Sequence, residues 1–177
     1  MIPPDAAMTQ QLDTPPSQHR IWKLGADIDT DALAPGAWMT LETPELAVHC
    51  LEHVRPEFAA SVRCGDMIAA GANFGIGSSR EQAAGVLVEL GVRAVIAPSF
   101  GGLFFRNAFN LGLLLLTTPI AAALDDGEVI TFAMTDLSIG RTDGQWYPCE
   151  PIPGFLLEMV RAGGLINQLA NRPGRSA

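Results

Sequence analysis

The sequence predicts an α/β domain whose sheet is at least partly parallel, and two patterns along the chain carry this prediction. Short runs made almost wholly of apolar residues, such as Ala94–Ala97 (AVIA), are typical of strands buried on both faces. The segment Arg80–Leu90 (REQAAGVLVEL) instead places apolar residues at helical spacing, namely Ala83, Ala84, Leu87 and Val88. Strands that alternate with helices are joined by crossover connections, which favour parallel pairing.

The expected strands are short stretches rich in apolar residues, too short to form helices of ordinary length. In chain order they are His19–Leu24, Asp66–Ala70, Ala94–Ala97, Leu113–Leu116, Val129–Met134 and Leu137–Ile139.

The expected helices depend on caps, helical spacing and terminal glycines. A short helix is expected to begin at Thr43, which can act as the cap, with Pro44 and Glu45 suited to its first turn. A second helix covers Arg80–Leu90 and ends at Gly91. The later helices are Phe104–Asn110 and Gly154–Ala170, the latter interrupted at Gly163 and Gly164.

The chain is expected to form one domain between two tails. Its 177 residues are enough to bury one hydrophobic core, and no internal repeat is present. The proline-rich and polar residues 1–18 and the segment 171–177 (NRPGRSA) are expected to be flexible, which leaves residues 19–170 for the folded domain.

Charge and hydropathy exclude several classes of protein. The formal charge of −8 disfavours nucleic acid and anionic membranes as partners, although a local positive pocket can still bind a small anion. The N-terminus lacks the basic and apolar regions of a signal peptide. The longest apolar run is broken by Pro119 and is shorter than the roughly 20 residues of a membrane span. These features predict a soluble cytoplasmic protein.

The cysteines do not form a metal-binding pattern. There are three of them, Cys50, Cys64 and Cys149, and they are far apart in the sequence. This spacing predicts free thiols in a reducing compartment and no self-contained zinc or iron–sulfur site, so no metal ligand is expected in this chain.

The stretch GANFGIGSSREQA (residues 71–83) exposes backbone beside a positive charge. Glycines allow close approach of a ligand, and the first N–H groups of a helix are free to bind an anion. Ser79 with Gln82, or Ser78 with Glu81, could form a capping box at the helix that follows. The hydroxyls, amides and Arg80 together predict an anion site, although the same loop could be purely structural. The spacing matches neither a phosphate-binding Walker loop nor a dinucleotide fingerprint.

Three acidic residues precede this loop in the sequence. Asp27, Asp29 and Asp31 lack the glycine and distal glutamate of a calcium loop, so they are expected to form turns and caps.

Four segments in fixed order resemble the small swivelling domain of the aconitase superfamily. They are GADIDTDALAPGAW, EHVRPEFAASVRCGDMIAAG, GANFGIGSSREQA and AVIAPSFGGLFFRNAFNLGLLLL, which together lie between about Arg20 and Ile120. The chain length is similar to that of stand-alone small subunits of isopropylmalate dehydratases. The departures include Gln82, where the family often has histidine, and Gly101–Gly102.

The resemblance implies a three-layer β/β/α domain with a mixed, partly barrel-like sheet. It also implies a hydro-lyase that dehydrates and rehydrates a 2-hydroxy dicarboxylic acid on a [4Fe–4S] cluster. The cluster would be bound by a separate large subunit, which would be the partner of this chain.

The resemblance further implies roles for individual residues. Ser78 would be the catalytic base, acting as an alkoxide, and Arg80 would be the second catalytic residue. The expected substrate-binding residues are Ser79, Gly77, Asn73, Trp38, Thr30 and Asp31.

The sequence does not determine which acid is the substrate or whether the chain takes part in catalysis. The resemblance implies that the loop Ala32–Leu41 contacts the variable part of the substrate. Here the loop contains Trp38 and no basic residue, which favours an alkyl-bearing substrate such as 2-isopropylmalate, isomerised to 3-isopropylmalate in leucine biosynthesis. The alternatives are 2,3-dimethylmalate, citramalate or homoaconitate-type acids. A non-catalytic anion-binding or regulatory module is the alternative from another class of protein.

Overall fold

The computed structural model describes residues 15–171, and in this part of the chain seven strands form one sheet. The strands are β1 (Ser17–Lys23), β2 (Met67–Ala69), β3 (Ala94–Ala97), β4 (Leu114–Thr117), β5 (Val129–Ala133), β6 (Ser138–Gly140) and β7 (Trp146–Pro148). Their order across the sheet is β4-β3-β2-β1-β5-β6-β7.

Helices lie in the first three connections between the strands and after the last strand. They are α1 (Thr30–Leu33), α2 (Thr43–Ala47), α3 (Phe58–Ser61), α4 (Gln82–Glu89), α5 (Gly102–Asn110), α6 (Gly154–Ala162) and α7 (Leu165–Ala170), with 3₁₀ turns at Gly36–Trp38 and Pro119–Ala123. None of the helices in residues 15–171 has the length and hydropathy needed to cross a bilayer.

The sheet is parallel in one half and antiparallel in the other. β1, β2, β3 and β4 pair in parallel, whereas β5 joins β1 antiparallel and is followed by the antiparallel strands β6 and β7. All residues of β2 and β3 are buried, as expected for strands covered on both faces. β5 begins with alternating exposed and buried residues, because one face of this strand is less covered.

The sheet curls so that its two edge strands approach each other at one end. The N–H of Glu150, just after β7, donates to the carbonyl of Thr117 at the end of β4 (2.8 Å). The Thr118 hydroxyl donates to the carbonyl of Pro148, the last residue of β7 (3.1 Å). The expectation of an α/β domain with a mixed, partly barrel-like sheet is therefore confirmed.

The core lies between the curled sheet and the helices. Its largest fully buried side chains include five phenylalanines, namely Phe58, Phe74, Phe104, Phe109 and Phe132. Phe104 on α5 packs edge-on against Phe74 of the glycine-rich loop (ring centroids 5.4 Å apart). This packing fixes the position of the glycine-rich loop relative to α5.

Several boundaries differ from the sequence prediction. β1 includes Ser17 and Gln18, which were assigned to the N-terminal tail; residues 1–14 and 172–177 of the two tails lie outside the described residues. Thr43 is the first residue of α2 and does not cap it, because Glu42 occupies the N-cap position. β7 was not expected.

Two details of α4 were also predicted wrongly. The helix begins at Gln82 with Glu81 as its N-cap and without a side-chain cap, so neither capping box of the glycine-rich loop forms. Val86 is buried on its inner face, whereas Val88 is 40% exposed. Its expected end is confirmed, since Gly91 follows the helix with a positive φ of 77°.

Candidate active site

Three loops meet at the carboxyl ends of the parallel strands. Residues 24–29 follow β1, residues 70–81 follow β2 and residues 98–101 follow β3. Backbone bonds join the first two loops, from the N–H of Gly75 to the carbonyl of Ile28 (2.6 Å) and from the N–H of Thr30 to the carbonyl of Ile76 (2.8 Å). This edge of an α/β sheet is where ligands usually bind.

Two glycines allow the loop after β2 to take its path. Gly75 has a φ of +78°, and a side chain there would overlap the ring of Phe104. Gly77 has a φ of +108°, and its missing Cβ leaves room for the Thr30 hydroxyl, which would lie 3.0 Å from it. Only glycine combines this backbone conformation with such close contacts.

Ser78 projects from this loop at the surface, and its hydroxyl has two polar neighbours. Arg80 donates from Nε to Ser78 Oγ (2.8 Å), and Thr30 Oγ1 lies 3.2 Å from the same atom. The backbone N–H of Ser78 donates to Thr30 Oγ1 (3.0 Å). A charged donor and a buried hydroxyl therefore fix the position of an exposed serine.

Arg80 connects this serine to the turn after β1. Its Nη1 donates to Asp31 Oδ1 (3.0 Å) and to the carbonyl of Ala34 (2.7 Å). Its side chain is only 22% exposed, while that of Asp31 is 64% exposed. Within residues 15–171, Arg80 Nη2 has no hydrogen-bond partner, so one edge of the guanidinium can accept an anionic ligand.

Asp31 stays ionised beside Arg80. Its Oδ1 accepts the N–H of Gly36 (2.9 Å) and the Nη1 of Arg80. These two bonds, the backbone bond foremost, lower the pKa of Asp31 below its ordinary value. The carboxylate therefore links Arg80 to the 3₁₀ turn Gly36–Trp38 at neutral pH.

Ser79 contributes to the loop through its backbone. Its carbonyl accepts a hydrogen bond from Asn107 Nδ2 on α5 (3.0 Å), while its side chain is exposed. The N–H groups of Gly77 and Ser79 have no hydrogen-bond acceptor within the described part of the chain. They flank Ser78 as available donors.

The structure therefore brings together only some of the expected site residues. Thr30, Asp31, Ser78 and Arg80 form one hydrogen-bonded cluster, with Gly77 and Ser79 on either side of Ser78.

Asn73 belongs to a different set of contacts. Its Nδ2 donates to Asp27 (2.8 Å), and its N–H donates to the Ser99 hydroxyl (2.9 Å). Its positive φ of 62° indicates a turn position. Asn73 thus joins the loops after β1, β2 and β3.

Trp38 is occupied by contacts with a following loop. Its indole N–H donates to Glu52 (2.9 Å), and its ring stacks on His49 (centroids 4.0 Å apart). The same carboxylate group binds His49 Nδ1 (2.8 Å). The ring is 38% exposed, so one part of its surface stays accessible.

Sequence reasoning missed three groups of the site, namely the Ala34 carbonyl, the Gly36 N–H and the role of Asn107 in holding the loop. The first two are backbone atoms and carry no residue-type signal. Asn107 lies 28 residues after Ser79 in the sequence, so no local pattern connects the two.

The described residues do not fit an iron–sulfur cluster or another metal. Residues 15–171 contain no group of three or more His, Cys, Asp or Glu side chains placed to hold an ion. Cys50 and Cys149 are buried, and burial raises the pKa of the Cys149 thiol to about 12 and that of Cys50 still further. Such thiols resist the deprotonation that metal binding requires.

A protein-family model described as "Aconitase C-terminal domain" matches residues 63–121, which contain the glycine-rich loop, α4, β3, α5 and β4. The small subunit 1 of 3-isopropylmalate dehydratase from Archaeoglobus fulgidus is 44% identical over 83% of this chain and 92% of its own length. The small subunit from Methanosarcina mazei is 46% identical over 83% of this chain and 92% of its own.

A homoaconitase relative and a solved structure are also similar. The methanogen homoaconitase small subunit of Methanothermobacter thermautotrophicus is 43% identical over 84% of this chain and 87% of its own. A crystal structure of 3-isopropylmalate dehydratase from Methanocaldococcus jannaschii superposes with a TM-score of 0.82 at 39% identity, covering 88% of this chain and 94% of that one. The sequence and the fold both agree with these relatives, and the chain belongs to the family of 3-isopropylmalate dehydratase small subunits within the aconitase superfamily.

Proposed function

We propose that this chain is the small subunit of a hydro-lyase that interconverts 2-isopropylmalate and 3-isopropylmalate by dehydration and rehydration. The observation that carries the proposal is the hydrogen-bonded cluster of Ser78, Arg80, Asp31 and Thr30 in a member of this family. The three thiols of the described residues are unpaired, which is consistent with work in a reducing cytoplasm.

In this proposal Ser78 removes the proton from the carbon next to a substrate carboxylate. A serine hydroxyl is a weak base, so its deprotonated form needs donors aimed at the oxygen. Arg80 Nε is such a donor, since it already lies 2.8 Å from Ser78 Oγ. Ser78 is exposed, which allows a substrate on a partner subunit to reach it.

Arg80 and the loop amides are proposed to bind a substrate carboxylate. The unpartnered Nη2 of Arg80 and the N–H groups of Gly77 and Ser79 are all near Ser78 in the chain. Such a set of donors matches the oxygens of a carboxylate. Asp31, Asn73 and Trp38 are proposed to hold the surrounding loops and to shape the pocket.

A [4Fe–4S] cluster is assigned to a large subunit, because this chain offers no cluster ligands within residues 15–171. The chemistry that such a cluster supplies is Lewis-acid activation of the leaving hydroxyl. The large subunit also completes the site, since Ser78 and Ser79 are exposed in the isolated small subunit. Nucleic acid and membranes are not part of the proposal, in keeping with the charge of −8.

The alkyl-bearing substrate is preferred because of the loop after Asp31. The segment Ala32–Leu41 (ALAPGAWMTL) contains no cation that could pair with a third carboxylate. The guanidinium of Arg80, which reaches this loop, is already bound to Asp31 and Ala34 through Nη1. A substrate side chain near this loop would instead meet apolar groups.

The second candidate substrate is a homoaconitate-type acid. The observation that favours it is the 43% identity to a methanogen homoaconitase small subunit, which is close to the identity with the isopropylmalate enzymes. Overall similarity therefore does not separate the two substrates, and the composition of the loop is what favours 2-isopropylmalate.

The test is to co-express the chain with a large subunit of this family, reconstitute the cluster anaerobically and measure hydration of a panel of unsaturated acids. The panel contains isopropylmaleate, dimethylmaleate, citraconate and homoaconitate. We expect isopropylmaleate to have the highest kcat/KM. We also expect Ser78→Ala to lower kcat by roughly 10²- to 10⁴-fold, the usual contribution of a positioned base.

The matched control is Ser61→Ala, which removes an exposed serine hydroxyl from α3. It should keep wild-type kcat and the same yield of the two-subunit complex. Preference for homoaconitate would establish the second candidate. A complex with an intact cluster that binds these acids in a titration without converting any of them would instead indicate a non-catalytic module.

A further inference from the structure

Thr30 occupies a special place in the cluster because it is buried while its neighbours are exposed. The residue is only 2% exposed, in contrast to the exposed Ser78 and Ser79. The resemblance to the aconitase superfamily implied that Thr30 binds the substrate. A side chain covered to this degree by its own chain has little surface left for a substrate.

The hydrogen-bond geometry determines what the Thr30 hydroxyl can do. Its oxygen accepts the backbone N–H of Ser78 (3.0 Å) and lies 3.2 Å from Ser78 Oγ. A hydroxyl has one hydrogen to donate and two lone pairs that accept. Within residues 15–171 the buried Thr30 hydroxyl makes no hydrogen bond other than these two, so its hydrogen is satisfied when Thr30 donates to Ser78 Oγ.

Backbone contacts hold Thr30 and Ser78 next to each other. The Thr30 N–H donates to the carbonyl of Ile76 (2.8 Å), and Asp29 forms a parallel bridge with Ile76. The absence of a side chain at Gly77 leaves room for the Thr30 hydroxyl, since a Cβ there would lie 3.0 Å from Thr30 Oγ1. The two loops are thus fixed to each other on both sides of the Thr30–Ser78 contact.

We propose that Thr30 is a positioning residue that donates to Ser78 Oγ and, together with Arg80 Nε, stabilises the deprotonated form of Ser78. This inference rests on the proposed function of Ser78 as the base. Two donors from different loops converge on one oxygen, and neither needs to reorient when the proton leaves. Thr30 acts on the reaction through Ser78 and does not contact the substrate.

The test compares Thr30→Val, which keeps the shape but loses the hydroxyl, with Thr30→Ser, which keeps the hydroxyl. In the reconstituted complex, Thr30→Val is expected to lower kcat roughly 10- to 100-fold, the effect of one lost hydrogen bond to a charged group. KM should stay within about twofold, since Thr30 does not bind the substrate, and Thr30→Ser should restore most of kcat.

The matched control is Thr118→Val. Thr118 is also 2% exposed, and its hydroxyl donates to the carbonyl of Pro148, far from the cluster. Thr118→Val measures the general effect of removing a buried threonine hydroxyl, and it should leave kcat unchanged. An unchanged kcat in Thr30→Val, or a raised KM with normal kcat, would overturn the proposal.

A second readout does not depend on turnover. Amide hydrogen exchange of Ser78, measured by NMR on the isolated small subunit, should be several-fold faster in Thr30→Val than in wild type and in Thr30→Ser. Equal exchange rates in wild type, Thr30→Val and Thr30→Ser would show that Thr30 does not hold the Ser78 N–H, which would contradict the inference. The wild-type complex could hydrate no acid while the Ser78 amide still exchanges faster in Thr30→Val. That result would contradict the proposed function but support the Thr30–Ser78 contact.

Discussion

At the scale of single residues, Arg80 connects two loops through one planar group. Its guanidinium reaches Ser78 Oγ through Nε, and both Asp31 and the Ala34 carbonyl through Nη1. A lysine ammonium is a point charge on a flexible stem and cannot reproduce this fixed fork of donors. The geometry of the group should therefore matter as well as its charge.

Arg80→Lys is expected to lower kcat/KM at least roughly 100-fold, because two or more charge-assisted hydrogen bonds are lost while the charge stays. Steady-state kinetics of the reconstituted complex measure this, with circular dichroism to verify folding. Arg106→Lys is the control, since Arg106 is an exposed residue of α5. Activity of Arg80→Lys within about threefold of wild type would show that charge alone is sufficient.

Residue type and order were enough to predict part of the cluster. The stretch GSSR predicted an anion site, and the resemblance added the roles of Ser78 and Arg80 and pointed to Thr30 and Asp31. The contacts of Trp38 could not be predicted, because its partners His49 and Glu52 lie on a separate loop. A side chain such as Trp38 has several polar groups within possible reach. The one it binds depends on the paths of the loops, which local sequence patterns do not specify.

At the scale of secondary-structure elements, the position of the glycine-rich loop depends on its packing against α5. Phe104 of this helix lies where a side chain at position 75 would have to go. Asn107 of the same helix holds the Ser79 carbonyl. The helix therefore supports the loop on both sides of Ser78.

Gly75→Ala is expected to destabilise the fold more than a positive φ alone would. Gly144 also has a positive φ (+83°) but no atoms within 4 Å of an added Cβ, so Gly144→Ala measures backbone strain alone. That strain costs about 1–2 kcal/mol, and overlap with Phe104 should add about 1–3 kcal/mol in Gly75→Ala. Urea unfolding of both variants measures the difference, and equal free energies of unfolding would contradict this account.

The strands were predicted well and the helix starts less well. The strands β2 and β3 are continuous apolar runs, and β4 (LLLT) departs from one only at its last residue; runs this short favour buried strands over helices. The strand β7 (WYP) ends in proline and pairs at the edge of the sheet, so no apolar run marks it. The expected capping boxes at α4 do not form, because the helix begins only at Gln82 and the Ser78 hydroxyl is bound to Thr30 and Arg80.

At the scale of the whole molecule, a network around Asp66 joins β1 to the segment before β2. Asp66 Oδ2 accepts from Arg20, from the Trp22 indole N–H (2.8 Å) and from the backbone of Arg63 (2.9 Å). Burial alone would raise the pKa of Asp66, but the hydrogen bonds, that of Arg20 first, outweigh it and lower the pKa. The ionised carboxylate is therefore favoured by the folded state.

Asp66→Asn is expected to lower the free energy of unfolding by about 2 kcal/mol at pH 7, because the buried carboxylate loses charge-assisted hydrogen bonds while its partner Arg20 is half-buried. Because the folded-state pKa lies below the ordinary value of 3.8, the stabilisation is present above that pH and is lost as pH falls through the folded value. The difference between wild type and variant should therefore shrink in urea titrations below about pH 4.

The control for this titration is Asp125→Asn. The Asp125 side chain is 85% exposed and lies 3.6 Å from Arg141, so its removal should change stability little at any pH. A difference between wild type and Asp66→Asn that stays constant from pH 7 to pH 3 would contradict the ionised-carboxylate account.

The meeting of β4 and β7 also affects how separate copies of this chain behave. An open sheet edge offers unpaired backbone groups to which a second molecule can add a strand, and such addition leads to aggregation. Here the carbonyls of Thr117 and Pro148, at the ends of the two edge strands, are already bound within the chain. Each edge strand is also short, with four residues in β4 and three in β7. The curl of the sheet and the shortness of its edge strands therefore leave little open edge at which a second copy of this chain could add a strand.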